Sequence, residues 1–218
     1  MNRGQAIADI KAVFGAYKAV SSRAGARFRR VKAGKLYELW VLSEVVQDLR
    51  ARGFRLTFKG RTLKFKGAPG QIKTSDSHFQ ILAPNGALLW LFVDIEFQTL
   101  GSTRAPVSDY SRLHELDIVV VTKLSANPRH DEVALGVECK CVAKFGKHLV
   151  KEALGVRREL AYFSDWLQDS LLTDVGGAQV KVRAEPASEF WLAYIDAKGD
   201  QYDESPAAFG IALKHLQP

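Results

Sequence analysis

The sequence predicts an α/β domain: a central mixed β-sheet flanked by helices. Three observations predict it. Two segments carry apolar residues at helical spacing, roughly 35–52 and 146–167. Between them runs a series of segments with a two-residue apolar period. After the second helix the chain returns to short strand-like runs.

Residues 5–20 read as a first helix, and 21–34, rich in glycine and arginine, as a loop. A helix from about Lys35 to Arg52 is expected to stop at Gly53, a residue type suited to the left-handed cap. Phe54–Lys59 and Thr62–Lys66 read as one hairpin. Gln80–Ala83 and Ala87–Phe97, joined through Asn85-Gly86, read as another. Glu115–Lys123 and Glu132–Val142 are the next strands, expected to pair antiparallel through the turn at 125–131. The stripe Leu149, Ala153, Val156, Leu160, Phe163, Leu167 predicts a helix over 146–167. Lys181–Ala184 and Phe190–Asp196 are expected as closing strands, with a short final helix over 207–216. No linker divides the 218 residues, so a single domain is expected, with a basic N-terminal helix and loop at 1–34 and the main body at 35–218.

No apolar run reaches the ~18 residues that span a bilayer, and no secretory h-region is evident. Cys139 and Cys141, the only cysteines, exclude a disulfide framework. A cytoplasmic protein with no membrane partner is the expectation. The net charge of +7 favours a polyanionic partner, nucleic acid first. Arg23, Arg27, Arg29, Arg30, Lys32 and Lys35 crowd together. Arg55, Lys59, Arg61, Lys64 and Lys66 alternate with apolar residues, and Lys147, Lys151, Arg157 and Arg158 lie on the 146–167 helix. Each group reads either as a solvated face or as a phosphate track.

Strand alternation places the chemistry. In 132–142, Val133, Leu135, Val137, Cys139 and Cys141 fall on one face, and Ala134, Gly136, Glu138 and Lys140 on the other. Two small residues before the charged pair suggest a cleft floor. In the preceding strand Leu116, Ile118 and Val120 share one face and Asp117 lies on the other, within reach of Glu138 and Lys140. Two carboxylates and an ammonium at one point suit a hard divalent cation. Glu38 sits in the apolar arc of the 35–52 helix and needs a partner there. Asp94 and Glu96, by contrast, read as residues of a solvent-facing strand, and the five histidines show no ligand spacing.

Asp117, then Glu138-Cys139-Lys140 followed by a long helix, resembles the PD-(D/E)XK nuclease superfamily of restriction endonuclease-like proteins. Glu38, within Leu36-Tyr37-Glu38-Leu39-Trp40, matches the glutamate that members often carry on their first core helix. The same segment resembles nuclease subunits of modification-dependent restriction systems. Leu116 stands where the family's name-giving proline would be.

The resemblance implies a restriction endonuclease-like fold and Mg²⁺-dependent hydrolysis of phosphodiester bonds, with Mn²⁺ as a surrogate. Asp117, Glu138 and the Cys139 backbone carbonyl would bind the ion, Lys140 would orient or deprotonate water, and Glu38 would hold a second ion or a water. DNA is the expected substrate over RNA, with Arg29, Arg30, Lys32, Lys147, Lys151, Arg157 and Arg158 on its backbone. The resemblance further implies a homodimer. Because no sequence-reading module is recognisable, a partner protein could supply specificity. The alternatives are an RNA-directed nuclease of the same fold, and a catalytically idle binding or assembly subunit.

Overall fold

In the computed structural model, residues 1–20, 24–63, 68–73 and 75–218 are described, with Ala24 and Gly25 as backbone only. The helices α1 (Arg3–Ala16), α2 (Ala24–Arg29) and α3 (Ala33–Ala51) lead into the strands β1 (Arg55–Lys59), β2 (His78–Leu82) and β3 (Leu88–Gln98). A short α4 (Leu100–Arg104) precedes β4 (Leu113–Val121) and β5 (Val133–Lys140). Then come α5 (Lys147–Leu160), β6 (Tyr162–Asp169), α6 (Leu171–Asp174), β7 (Lys181–Glu185), β8 (Glu189–Tyr194), α7 (Glu204–Ala208) and β9 (Ile211–His215).

Seven strands form one mixed sheet in the order β1-β2-β3-β4-β5-β8-β9. From β1 to β5 each neighbouring pair is antiparallel, whereas β5–β8 and β8–β9 are parallel. Helices α1 and α3 cover one face: Ala6, Ile10 and Phe14 pack in the same cluster as Leu36, Leu42 and Val46. The 1–34 segment thus shares the core of the remainder. Helix α5 covers the other face through Leu149, Ala153, Val156 and Leu160.

Local chemistry explains several boundaries. Gly53, at φ +93°, ends α3 with the Gly53 N–H donating to Arg50 and the Phe54 N–H to Leu49, both at 3.0 Å. The Asn85-Gly86 turn joins β2 to β3 as expected, with Gly86 at φ +91°. The Arg52 guanidinium clamps Glu189, at 2.9 and 2.5 Å, and Ser170 Oγ donates to the same carboxylate at 2.7 Å. That buried pair fastens the end of α3 to the start of β8.

The structure corrects three expectations. Helix α5 stops at Leu160, and Tyr162–Asp169 is instead a strand paired with β7 in a separate two-stranded sheet. Phe163 and Leu167 fit a helical stripe, but an aromatic-rich run also favours a strand, and both are exposed, at 51% and 53%. Of the expected final helix only its start is helical, in α7. Beyond Gly210 at φ +68°, β9 joins the sheet. The segment read as a loop at 21–34 contains α2 and the start of α3. Strand β1 pairs with β2, while the return strand expected at 62–66 falls partly on residues 64–67, outside those described. Arg23, Lys64 and Lys66 also lie outside the described residues.

Candidate metal centre

The site lies where the first turns of α3, at Lys35 and Glu38, meet the middle of β3 and β4. Asp94 interrupts β3, whose apolar neighbours pack on both faces. The pairs Val93↔Ile118 and Ile95↔Leu116 flank it, so Asp94 stands opposite Asp117. At this pair the alternation of both strands breaks. Leu89 and Leu91 pack against the α3 side, but Ile95 and Phe97 join Phe92 on the α5 side. On β4, Ile118 and Val120 pack toward α3 and Leu116 toward α5, so Leu116 and Ile118 do not share a face as the alternation predicts. The backbone cause is visible at Asp94, whose φ of +53° is unusual for a residue with a side chain.

Asp94 is the residue that sequence reasoning missed. It is buried, not solvent-facing, at 6% exposure. The signal was present: an aspartate inside an eleven-residue strand that is apolar on both sides has no solvated face to occupy.

One turn of α3 supplies the next two groups. Lys35 Nζ lies 2.5 and 2.6 Å from the Asp94 oxygens and 2.5 Å from Glu38 Oε2. Lys35 is thus the partner of the buried Glu38 Oε2. Glu38, Asp94 and Asp117 each offer an oxygen within 4.8 Å of the others. Ligand bonds of ~2.0–2.6 Å span that separation around one ion. The three carboxylates and Lys35 line a cleft of about 580 Å³, with Lys32 and Glu115 also on its wall.

β5 carries the second half of the constellation. Asp117 Oδ2 accepts from the Cys139 N–H at 2.7 Å, which fixes Asp117 against the backbone beside Glu138. Glu138 Oε2 lies 3.1 Å from Lys140 Nζ, and that ammonium also donates to Glu152 of α5 at 2.7 Å. Glu138 therefore stands next to the triad but outside it, engaged by Lys140. Behind it there is no open floor. A side chain added at Gly136 would meet Leu116 at 3.2 Å and Phe190 at 3.3 Å, so the glycine accommodates packing. At the strand's start Val133 packs toward α5 and Ala134 toward α3, reversed from strict alternation, because the β4–β5 register shifts between Val120 and Val121.

The electrostatics agree with crowded acids. Burial, then the charges of Asp117 and Asp94, push Glu38 up to about 7 against the pull of Lys35. Burial and the neighbouring Asp117 push Glu138 up to about 8. Asp117 is also raised, by burial, although the Cys139 N–H opposes it. Lys140 overcomes the burial that disfavours its charge, because Glu138 and Glu152 hold it above its ordinary value. It is a firmly protonated donor in this arrangement.

The expected phosphate contacts divide. Arg29, Arg30, Lys32, Lys147, Lys151 and Arg158 are exposed. Arg157 is not: at 3% exposure it donates to Phe209 O, Ser188 Oγ and Ser188 O, and it cannot lie on a solvated phosphate track. Among the described residues no helix is long and apolar enough to cross a membrane. No protein-family model, curated protein or solved structure matches this chain.

Proposed function

We propose that the chain is a Mg²⁺-dependent nuclease that hydrolyses phosphodiester bonds in DNA, of the PD-(D/E)XK type its motif resembles. The observation that carries this reading is the convergence of Glu38, Asp94 and Asp117 within 4.8 Å, beside Glu138 and Lys140. The donor set fits a hard divalent cation. It is all carboxylate, and its three acids outnumber the Lys35 and Lys140 ammonium groups that face them. Glu38, Asp94 and Asp117 would hold the ion, and the resemblance adds Glu138 and the Cys139 carbonyl. Mn²⁺ would serve as a surrogate. Bound there, the cation would lower the pKa of water and neutralise charge on a phosphate.

The chain's own residues perform the remainder. The Cys139 N–H holds Asp117 in one rotamer. Glu152 and Glu138 hold the Lys140 ammonium between β5 and α5, where it donates toward an attacking water or a developing phosphate charge. Lys32, on the wall of the cleft, is placed to meet the phosphate backbone. A homodimer, or a partner that supplies sequence specificity, belongs to the same proposal.

The test is a cleavage assay with Mg²⁺ or Mn²⁺ on linear, nicked, branched and single-stranded DNA, with RNA alongside. Metal-dependent cleavage of DNA, lost in Asp117→Asn, is the expected result. Preference for RNA would replace the substrate. Binding of DNA without cleavage of any substrate would replace the enzyme with a binding subunit.

A further inference from the structure

At the far end of α5 lies a second cavity, of about 680 Å³, unconnected with the acidic residues. Its walls include Leu154, Tyr162, Phe163 and Phe209, with Arg157 and Arg158. Phe163 and Phe209 meet with ring centroids 5.3 Å apart, and both present large exposed surfaces. Arg104 stands over the Tyr162 ring at 5.8 Å. The volume falls within the ~300–1,000 Å³ typical of ligand sites.

Arg157 is the decisive group. Its guanidinium is almost fully buried, yet all three hydrogen bonds go to neutral oxygens: Phe209 O at 3.1 Å, and Ser188 Oγ and Ser188 O at 2.9 Å. No carboxylate of the described residues offsets its charge, and burial alone lowers its pKa to about 10. Gly210 permits the arrangement, since a side chain there would come within 3.0 Å of Arg157 Nη2. A buried cation without a counter-charge is costly unless something anionic joins it. Apolar, aromatic walls around such a cation fit a ligand with a flat apolar part and an anionic part.

α5 gives the direction from which that ligand arrives. At 100° per residue Lys147, Lys151, Leu154 and Arg158 fall in a stripe of roughly 60°, about 16 Å long. The three cations are exposed, and the stripe ends at Leu154 and Arg158 on the cavity wall. A chain of phosphates following that stripe would end at this cavity.

We propose that the cavity binds one unpaired nucleotide of a nucleic-acid strand, with the base against Phe163 and Phe209 and a phosphate at the exposed Arg158, over the buried charge of Arg157. The site needs no metal and stands or falls separately from the cleavage reading.

The experiment uses the full chain in EDTA, with fluorescence anisotropy of a labelled oligothymidine, its abasic counterpart and a blunt duplex, and with thymidine 5′-monophosphate as competitor. Two variants probe the cavity. Phe163→Ala removes an exposed wall, and Gly155→Leu fills the lining at a position where an added side chain meets no atom within 4 Å. Each is expected to weaken oligothymidine binding about tenfold or more while leaving duplex binding and the melting temperature unchanged, because one aromatic–base stack is lost. Equal binding by wild type and both variants would overturn the proposal, as would equal binding of the abasic strand. A mononucleotide that binds as tightly as the oligonucleotide would overturn the assignment to a strand. Absence of cleavage in the metal-containing assay would not move any of these results.

Discussion

Asp94 and Asp117 face each other across β3 and β4, two carboxylates at one register position in the middle of a sheet. Like charges placed opposite each other destabilise an antiparallel pair. Here Lys35 takes both oxygens of Asp94, and the Cys139 N–H takes one of Asp117. The positive φ at Asp94 adds about 1–2 kcal/mol of backbone cost. A fold retains such an arrangement against its own stability when the acids have another use.

Asp94→Asn is therefore expected to weaken Mg²⁺ binding at least about tenfold, comparable to the loss of a residue that supports a metal ligand. Isothermal titration with Mg²⁺, or Tb³⁺ luminescence, measures it. Wild-type affinity in the variant would remove Asp94 from the site.

The raised acids predict an unusual pH dependence. Glu38 and Glu138 titrate higher in the folded protein, about 7 and about 8, than the ordinary 4.5. Between those values the folded state binds more protons than the unfolded state. The metal-free protein should thus lose stability as pH rises from about 4.5 to about 8, by up to about 1.4 kcal/mol per pH unit for each group. Thermal melting in EDTA across this range should show the decline, Glu138→Gln should flatten it, and Mg²⁺ should raise the melting temperature more at pH 8 than at pH 5.5. A metal-free melting temperature that climbs from pH 5 to pH 8 would contradict the assignment.

The sheet's strands up to β5 were legible because their apolar period is two and their turns carry Asn-Gly or Pro. Asp117 and Glu38 were legible as a carboxylate beside Glu138 and Lys140 and as a charge on an apolar helix face. Asp94 was misread as solvent-facing although the apolar strand around it marked it as enclosed; which face it takes depends on its positive φ, which sequence does not show. Arg157 was misread for a related reason. The α5 stripe places it beside Arg158, and nothing local says that Ser188 and the Phe209 carbonyl will enclose it. The aromatic run after Leu160 satisfies both periods at once, so pairing with β7, a tertiary event, decided its structure.

If the proposed nuclease reading holds, Lys140→Ala is expected to abolish Mg²⁺-dependent cleavage while leaving the fold and DNA affinity nearly intact, because in that reading the lysine acts on the reacting atoms. Lys140→Arg should fail as well, since a planar guanidinium cannot take the compact position between Glu138 and Glu152. Cleavage by Lys140→Ala at the wild-type rate would disprove the role.

Arg52→Met should destabilise by about 3–5 kcal/mol, because it strands Glu189 as a buried, unpaired charge. For a chain of this size that corresponds to a fall of roughly 10 °C in melting temperature. Differential scanning calorimetry would detect it, and an unchanged transition would mean that Glu189 is relieved by protonation or by Ser170 alone.

The Lys35 ammonium, wedged between Glu38 and Asp94, also sets a valence rule for the cleft. With Asp117, three ionised carboxylates and one ammonium leave two negative charges. A monovalent ion leaves the cleft anionic and a trivalent ion makes it cationic, so only a divalent ion brings it to neutrality. Replacing Lys35 by methionine would shift that balance by one unit, and the preference should move toward ions of higher charge.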